Sequence, residues 1–141
     1  MVQFVCNTQY VKDLSFENPK APYSLTLKQA PKIALTLDVR VDRLSQEDCE
    51  VTLLINAEAK LEEEKIFVVE LSYAGLFTIR DAQEHEEAEL TMVEAPTLLF
   101  PFARRILAET TRDGGLPPLV LEPVNFFALY QDHQRKQQTS E

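Results

Sequence analysis

The chain has 141 residues, 45% hydrophobic and 26% charged, with a formal net charge of −9. That describes one globular domain able to bury a real core. It excludes nucleic acid or an anionic membrane as the main partner, since both need clustered Lys and Arg, but it suits a basic one. Cys6 and Cys49 stand far apart and outside any CxxC pair, so reduced thiols are expected rather than a disulfide framework. The first residues, MVQFVCNTQ, lack the basic and apolar regions of a signal peptide, and no window reaches 18 apolar residues. Neither export of the chain nor direct membrane insertion is expected.

In chain order, residues 1–9 read as a flexible arm. Residues 10–16, YVKDLSF, form a short strand with Tyr10, Lys12, Leu14 and Phe16 on one side and Val11, Asp13 and Ser15 on the other. Residues 17–31 carry Pro19, Pro22 and Pro31, which exclude a helix or a central strand and predict a long extended crossing. Residues 32–44 alternate, with Ile33, Leu35, Leu37, Val39 and Val41 on one face and Thr36, Asp38, Arg40 and Asp42 on the other. After a turn at 45–48, residues 49–61 alternate again. A charged turn at 62–64 leads to a last strand at 65–79. Its Phe67, Val69, Leu71 and Tyr73 share one face, and Ile66, Val68, Glu70 and Ser72 the other. Both faces carry apolar residues, so burial on two sides or a partner on one is expected. Gly75 marks a bulge or a close backbone approach. Long strands also leave open edges that invite pairing with another copy.

Residues 80–90, RDAQEHEEAEL, read as a solvated helical turn or loop. Pro96 suits a helix start, and Leu98, Leu99, Phe102, Ala103, Ile106 and Leu107 make a wide apolar stripe, with Pro101 in the first turn or at a kink. Asp113-Gly114-Gly115 ends this helix. Pro117, Pro118 and Pro123 keep a second crossing extended. Asn125 caps a second helix with Phe126, Leu129, Tyr130 and His133 on one side; from Gln131 onward the chain is a polar tail that frays.

Catalytic motifs are missing from the sequence. It has no GxxxxGK[ST] loop, no GxGxxG after a strand and no GxSxG elbow. His85 sits in a run of glutamates without the second His or Cys a metal site would use, and His133 stands alone. No catalytic residue, metal or cofactor is expected, and the chain does not read as an enzyme. What remains is aromatic and apolar surface beside the two Pro-rich crossings: Phe16, Tyr23, Leu25, Phe126, Phe127 and Tyr130. Such residues can floor a groove for extended apolar segments. For any one of them, a place in the core between helix and sheet is the commoner alternative.

The segments YVKDLSFENPKAP at 10–22, LLFPFARRILAETTRDGGLPPL at 98–119 and LEPVNFFALY at 121–130 closely resemble the SecB family of bacterial protein-export chaperones, in unbroken order from about Tyr10 to Tyr130. The resemblance implies an α+β protomer with a four-stranded antiparallel sheet, a long helix and a second C-terminal helix. It implies sheets that pair across a dimer, and helices that lie between the two dimers of a homotetramer. It implies an ATP-independent cytoplasmic holdase, without cofactor, that binds unfolded precursor proteins and delivers them to the SecA motor. Carried over by position, SecA contacts fall on Asp13, Glu17, Val68 and Glu70. Tetramer contacts fall on Val69, Leu71 and Tyr73, joined by the helix residues Leu99, Phe102 and Ile106. Client-groove lining falls on Phe16, Tyr23, Leu25, Phe126 and Tyr130. The tail QDHQRKQQTSE departs from the family's longer SecA-engaging tail. A general or toxin–antitoxin-linked chaperone of the same fold is the alternative.

Overall fold

The computed structural model describes residues 1–139; the last two residues of the predicted polar tail lie outside it. Four antiparallel strands, β1 (Gln3–Glu17), β2 (Lys32–Arg43), β3 (Asp48–Leu61) and β4 (Glu64–Arg80), form one sheet in the order β1-β4-β3-β2. The register places Phe16, Val69, Ala57 and Leu35 in one cross-strand row, and Leu14, Leu71, Ile55 and Leu37 in the next. These rows make an inner face. β4 and β3 supply its fully closed centre, with Val51, Leu53, Ile55, Val69, Leu71 and Phe77 at 1% exposure or less.

A helical run covers that centre. α1 (Glu84–Glu89) passes through a π turn (Leu90–Glu94) into α2 (Ala95–Asp113). The solvated helical turn or loop expected at 80–90 is helix from Glu84, started by the capping box of Gln83 and Glu86. α2 buries Leu99, Phe100, Ala103, Leu107 and Thr111, a repeat of about four residues, against the sheet. Its approach requires a glycine on β4: a Cβ at Gly75 would lie 2.7 Å from the Phe77 ring and 3.0 Å from Leu99. Pro101 lies inside α2 on its exposed side, where the missing N–H leaves only a solvent-facing carbonyl unpaired. Gly114 is not left-handed (φ −80°); the turn is made at Gly115 (φ +80°). α3 (Phe126–Thr139) follows the second crossing, and the Ala128 N–H donates to Asn125 Oδ1 at 3.0 Å.

Three expectations are corrected. The flexible arm at 1–9 is strand from Gln3: Phe4 stacks on Phe77 at 5.2 Å, and Cys6 faces inward beside it. Bulges at Asn7 and Lys12 break the period and disguise this strand in the sequence. The Lys12 bulge also exchanges the predicted sides of Tyr10 and Val11, so Val11 pairs with Tyr73 on the inner face and Tyr10 with Ala74 on the outer. Finally, helix α3 runs on through the stretch from Gln131, carried by helix-favouring Gln, Arg and Lys.

Candidate functional site

Two surfaces stand out, on opposite sides of the sheet. The first is a groove of about 620 Å³ between the crossings. One wall is residues 24–31, which begin as a 3₁₀ turn (Tyr23–Thr26); the other is residues 115–120; Ile33, Ile66 and Phe67 form its floor. A third bulge builds that floor. Ala59 pairs with Phe67 and Lys60 with Lys65, so Ile66 is the extra residue and both Ile66 and Phe67 turn toward the groove, at 3% and 4% exposure. The upper wall is tied down by one buried side chain. Thr111 Oγ1 donates to the Leu107 carbonyl at 2.9 Å and accepts the Leu119 N–H at 2.9 Å, while its own carbonyl accepts the Leu116 N–H. Asn18 Nδ2 donates to the Gly114 carbonyl at 2.9 Å and joins the two crossings. Three prolines, Pro31, Pro117 and Pro118, line the groove and keep its walls extended.

The five residues expected to line the groove separate. Leu25 does line it. Phe16 stands behind it, tilted on Phe67 at 6.3 Å and against the backbone of Gly114. Tyr23 points to solvent at 80% exposure. Phe126 and Tyr130 lie elsewhere. Phe126 is core, edge-on to Phe100 at 5.9 Å, and Phe126 and Tyr130 border a different hollow of about 260 Å³ between α3 and Leu37–Val39 of β2. The lining that sequence reasoning missed, Ile33, Ile66, Phe67, Leu116 and Val120, had no periodic signal as a set, because a bulge and a proline crossing bring it together.

The second surface is the outer sheet face. Glu17 pairs with Val68, Ser15 with Glu70 and Asp13 with Ser72, so Asp13, Glu17, Val68 and Glu70 gather there on adjacent strands. Glu58, opposite Val68 on β3, adds a carboxylate that sequence reasoning did not single out. Next to this patch the β1 bulge is pinned across β4. Tyr10 Oη donates to Glu50 Oε2 at 2.5 Å, and Lys12 Nζ lies 2.9 Å from Glu50 Oε1. The hydrogen bonds from Lys12 and then Tyr10 hold the Glu50 carboxyl below its usual range. Burial, helped by Glu50, pushes the Tyr10 phenol up to about 12. Ala74 beneath this bridge is fully buried although it faces outward.

Among the described residues, no cluster of three His, Cys, Asp or Glu side chains could hold a metal ion, and no helix is long and apolar enough to cross a membrane. Burial pushes the Cys49 thiol up from its ordinary value.

The sequence matches, over residues 1–137, the family described as preprotein translocase subunit SecB. The chain belongs to the SecB family. Protein-export protein SecB of Parvibaculum lavamentivorans is 52% identical over 132 residues, covering 93% of this chain and 77% of that protein. The SecB of Rickettsia felis is 47% identical, covering 88% and 83%. A solved SecB-like chaperone from Mycobacterium tuberculosis, in complex with a peptide from an antitoxin, shares the fold. Its TM-score is 0.71 at 19% identity, covering 87% of this chain and 90% of that one. The function is accordingly that of a protein-export chaperone of SecB type.

Within this SecB fold the residues marked for subunit contact fall into two groups. Val69, Leu71, Tyr73 and Leu99 are 0–7% exposed inside a single protomer, closed by its own α2 and sheet. Within one protomer this inward face of β4 is already packed against its own helix. Phe102, 43% exposed, lies on the outward side of α2 together with Leu98 at 40%, whereas half-buried Ile106 packs against the core.

Proposed function

We propose that this protein acts in the cytoplasm as an ATP-independent, non-catalytic holdase. It takes unfolded precursor proteins into the groove and passes them to SecA at the acidic outer face. It works as a homotetramer, a dimer of dimers. The observation that carries this reading is the placement of an apolar groove and a carboxylate patch on opposite faces of one sheet. A client and a basic partner would then be held at once without competing for surface. The wall residues Leu25, Leu116 and Val120 present aliphatic area without a shaped polar pocket, which suits clients of any sequence. Four grooves on one particle would grip a long chain tightly through weak, exchangeable contacts. Folded proteins would be ignored, because their apolar segments are hidden. Asp13, Glu17 and Glu70 around Val68 would steer docking by charge. Phe102 and Leu98, apolar and uncovered on α2, would be closed by the second dimer.

Binding of a permanently unfolded client and of SecA to the Glu70→Lys variant tests the reading. SecA docking is expected to weaken about tenfold or more and to fall steeply with salt, while client affinity stays unchanged. Docking that is indifferent to both charge reversal and salt would overturn the electrostatic account. A solution mass of one 16.1 kDa chain rather than four would overturn the assembly. Recovery of an antitoxin rather than SecA from cells would favour the alternative partner.

A further inference from the structure

Both bulges of β1 are tied to β3 by side chains that cross β4. At the first, Asn7 Nδ2 donates to Thr78 Oγ1 at 2.8 Å, and that hydroxyl donates to Asp48 Oδ1 at 2.7 Å. At the second, Lys12 Nζ donates to Glu50 Oε1 at 2.9 Å and Tyr10 Oη to Glu50 Oε2 at 2.5 Å. A bulged residue has no partner in the ladder, so the strand bends there unless side chains fix it. The second tie sits where a bend would matter. Asp13 follows Lys12 directly and pairs with Ser72, diagonal to Glu70; Glu17 pairs with Val68 four residues on. Two of the patch carboxylates thus hang on the strand segment that begins at this bulge, and the others on β4 and β3.

Two further observations bear on the tie. Tyr10, Ala74 and Thr52 stand in one outward row across β1, β4 and β3. Ala74 is 0% and Thr52 2% exposed, and the Thr52 hydroxyl has no hydrogen-bond partner. Buried polar groups are rarely left so. The covering of this row therefore carries a cost, which the two bonds to Glu50 offset. The other observation is one of charge. Lys12 is a cation, its side chain 44% exposed, beside a surface that is otherwise suited to a basic partner. Attraction alone would be stronger without it.

We infer that Lys12 is a positioning residue for docking: through Glu50 it fixes the β1 bulge, and so sets Asp13 and Glu17 in register with Val68 and Glu70. This rests on the reading of the outer face as the SecA surface. It explains why a cation is kept there, because the ammonium spans from β1 to β3 and is spent on Glu50 rather than on the patch. Tyr10 supports the same carboxylate without adding charge. The groove lies on the opposite face and owes nothing to the tie.

Positioning and charge predict opposite signs for Lys12→Met, which makes SecA binding to the full-length variant the decisive measurement. Charge alone predicts tighter docking, since the face becomes more negative. Positioning predicts docking weakened about 2- to 5-fold, the range for a half-exposed ion pair. Its salt dependence should stay as steep as before or become steeper. Tyr10→Phe, which changes no charge, should weaken docking less, and Lys12→Arg should restore most of it. Lys12→Met combined with Glu50→Gln should be no worse than the weaker-binding single variant, because both remove one bridge. Affinity for an unfolded client should be unchanged throughout. Tighter or unaltered docking of folded Lys12→Met overturns the inference, and so do additive losses in the double variant. A parallel loss of client binding would also overturn it, by making the tie a general support of the fold. Should Lys12→Met misfold by circular dichroism, Tyr10→Phe decides, and unaltered docking there overturns the inference. Docking of the unaltered chain that ignores Glu70→Lys would instead defeat the reading of the outer face, and the inference with it.

Discussion

The outer face of β1 and β4 and the groove at the end of β2 are built by different means from the same sheet. On the outer face, alternate residues of β1 and β4 set Asp13, Glu17, Val68 and Glu70 at ladder spacing, and the Tyr10–Glu50–Lys12 bridge holds the bulge at Lys12 beside them. In the groove, a bulge at Ile66, two proline crossings and the hydroxyl of Thr111 assemble side chains that are far apart in the chain. A folded partner with fixed charges calls for the first kind of surface, in which positions are set by backbone geometry. An unfolded chain calls for the second: continuous apolar area, with no fixed spacing to match.

The sharpest way to break this division is to mutate what lies between the two faces. Leu71→Ala should destabilise the protein by about 2–5 kcal/mol, because Leu71 is 1% exposed beneath α2 and the site cannot collapse. Denaturant unfolding would show the midpoint fall. Dissociation of an otherwise stable protomer would instead mean that Leu71 is a subunit contact. Thr111→Val leaves the Leu119 N–H without its buried acceptor and should cost about 1–3 kcal/mol. Unlike Leu71→Ala, it should also loosen the groove wall and lower client affinity with SecA docking unchanged.

Smaller effects separate the faces further. Glu50→Gln should cost about 0.5–1 kcal/mol, the range for a partly exposed ion pair. The Glu50 pKa is depressed in the fold, so its stabilisation is complete above its ordinary value of 4.5 and is lost as pH falls through the lower folded value. The variant's stability should therefore decline less toward acid, as measured by unfolding midpoints across pH 2–5. The Tyr10 phenol moves oppositely. Raised to about 12, it contributes fully below pH 10 and loses that contribution as pH rises toward 12. In Glu50→Gln, tyrosinate absorbance should appear at lower pH. Smallest of all in stability is Val120→Asp. At a residue 67% exposed, the change should shift unfolding by less than about 0.5 kcal/mol. Client affinity should nonetheless fall, because a charge then lines the apolar wall.

Much of this architecture was legible from period and punctuation. The alternation in β2, β3 and β4 assigned inner and outer faces except at Ile66, the glycine at 75 announced a bulge or a close approach and proved to be the second, and Asn125 announced the start of α3. The illegible parts share one cause, an interruption of period by contacts distant in the chain. Two bulges hid the first half of β1, although Phe4 and Cys6 alternate as a strand should. The bulge at Ile66 concealed the groove floor. Phe126 looked like groove lining because it follows a proline crossing, but α3 turns it onto Phe100.

By itself, then, the sequence determined the second half of β1, the last three strands with most of their faces, the apolar stripe of α2 and the extended crossings. Each follows from local chemistry: the two-residue repeat of a strand, the 3.6-residue repeat of a helix and the fixed φ of proline. Only the tertiary structure decided which apolar face was already spent. Val69, Leu71, Tyr73 and Leu99 are alike in sequence to residues that could meet a partner, and α2 closes over them. It also decided that Ile33 of the edge strand β2 joins Ile66 and Phe67 of the central strand β4 under the groove. Strand order is set by which faces and edges can be buried together, a property of the whole sheet that no single strand encodes.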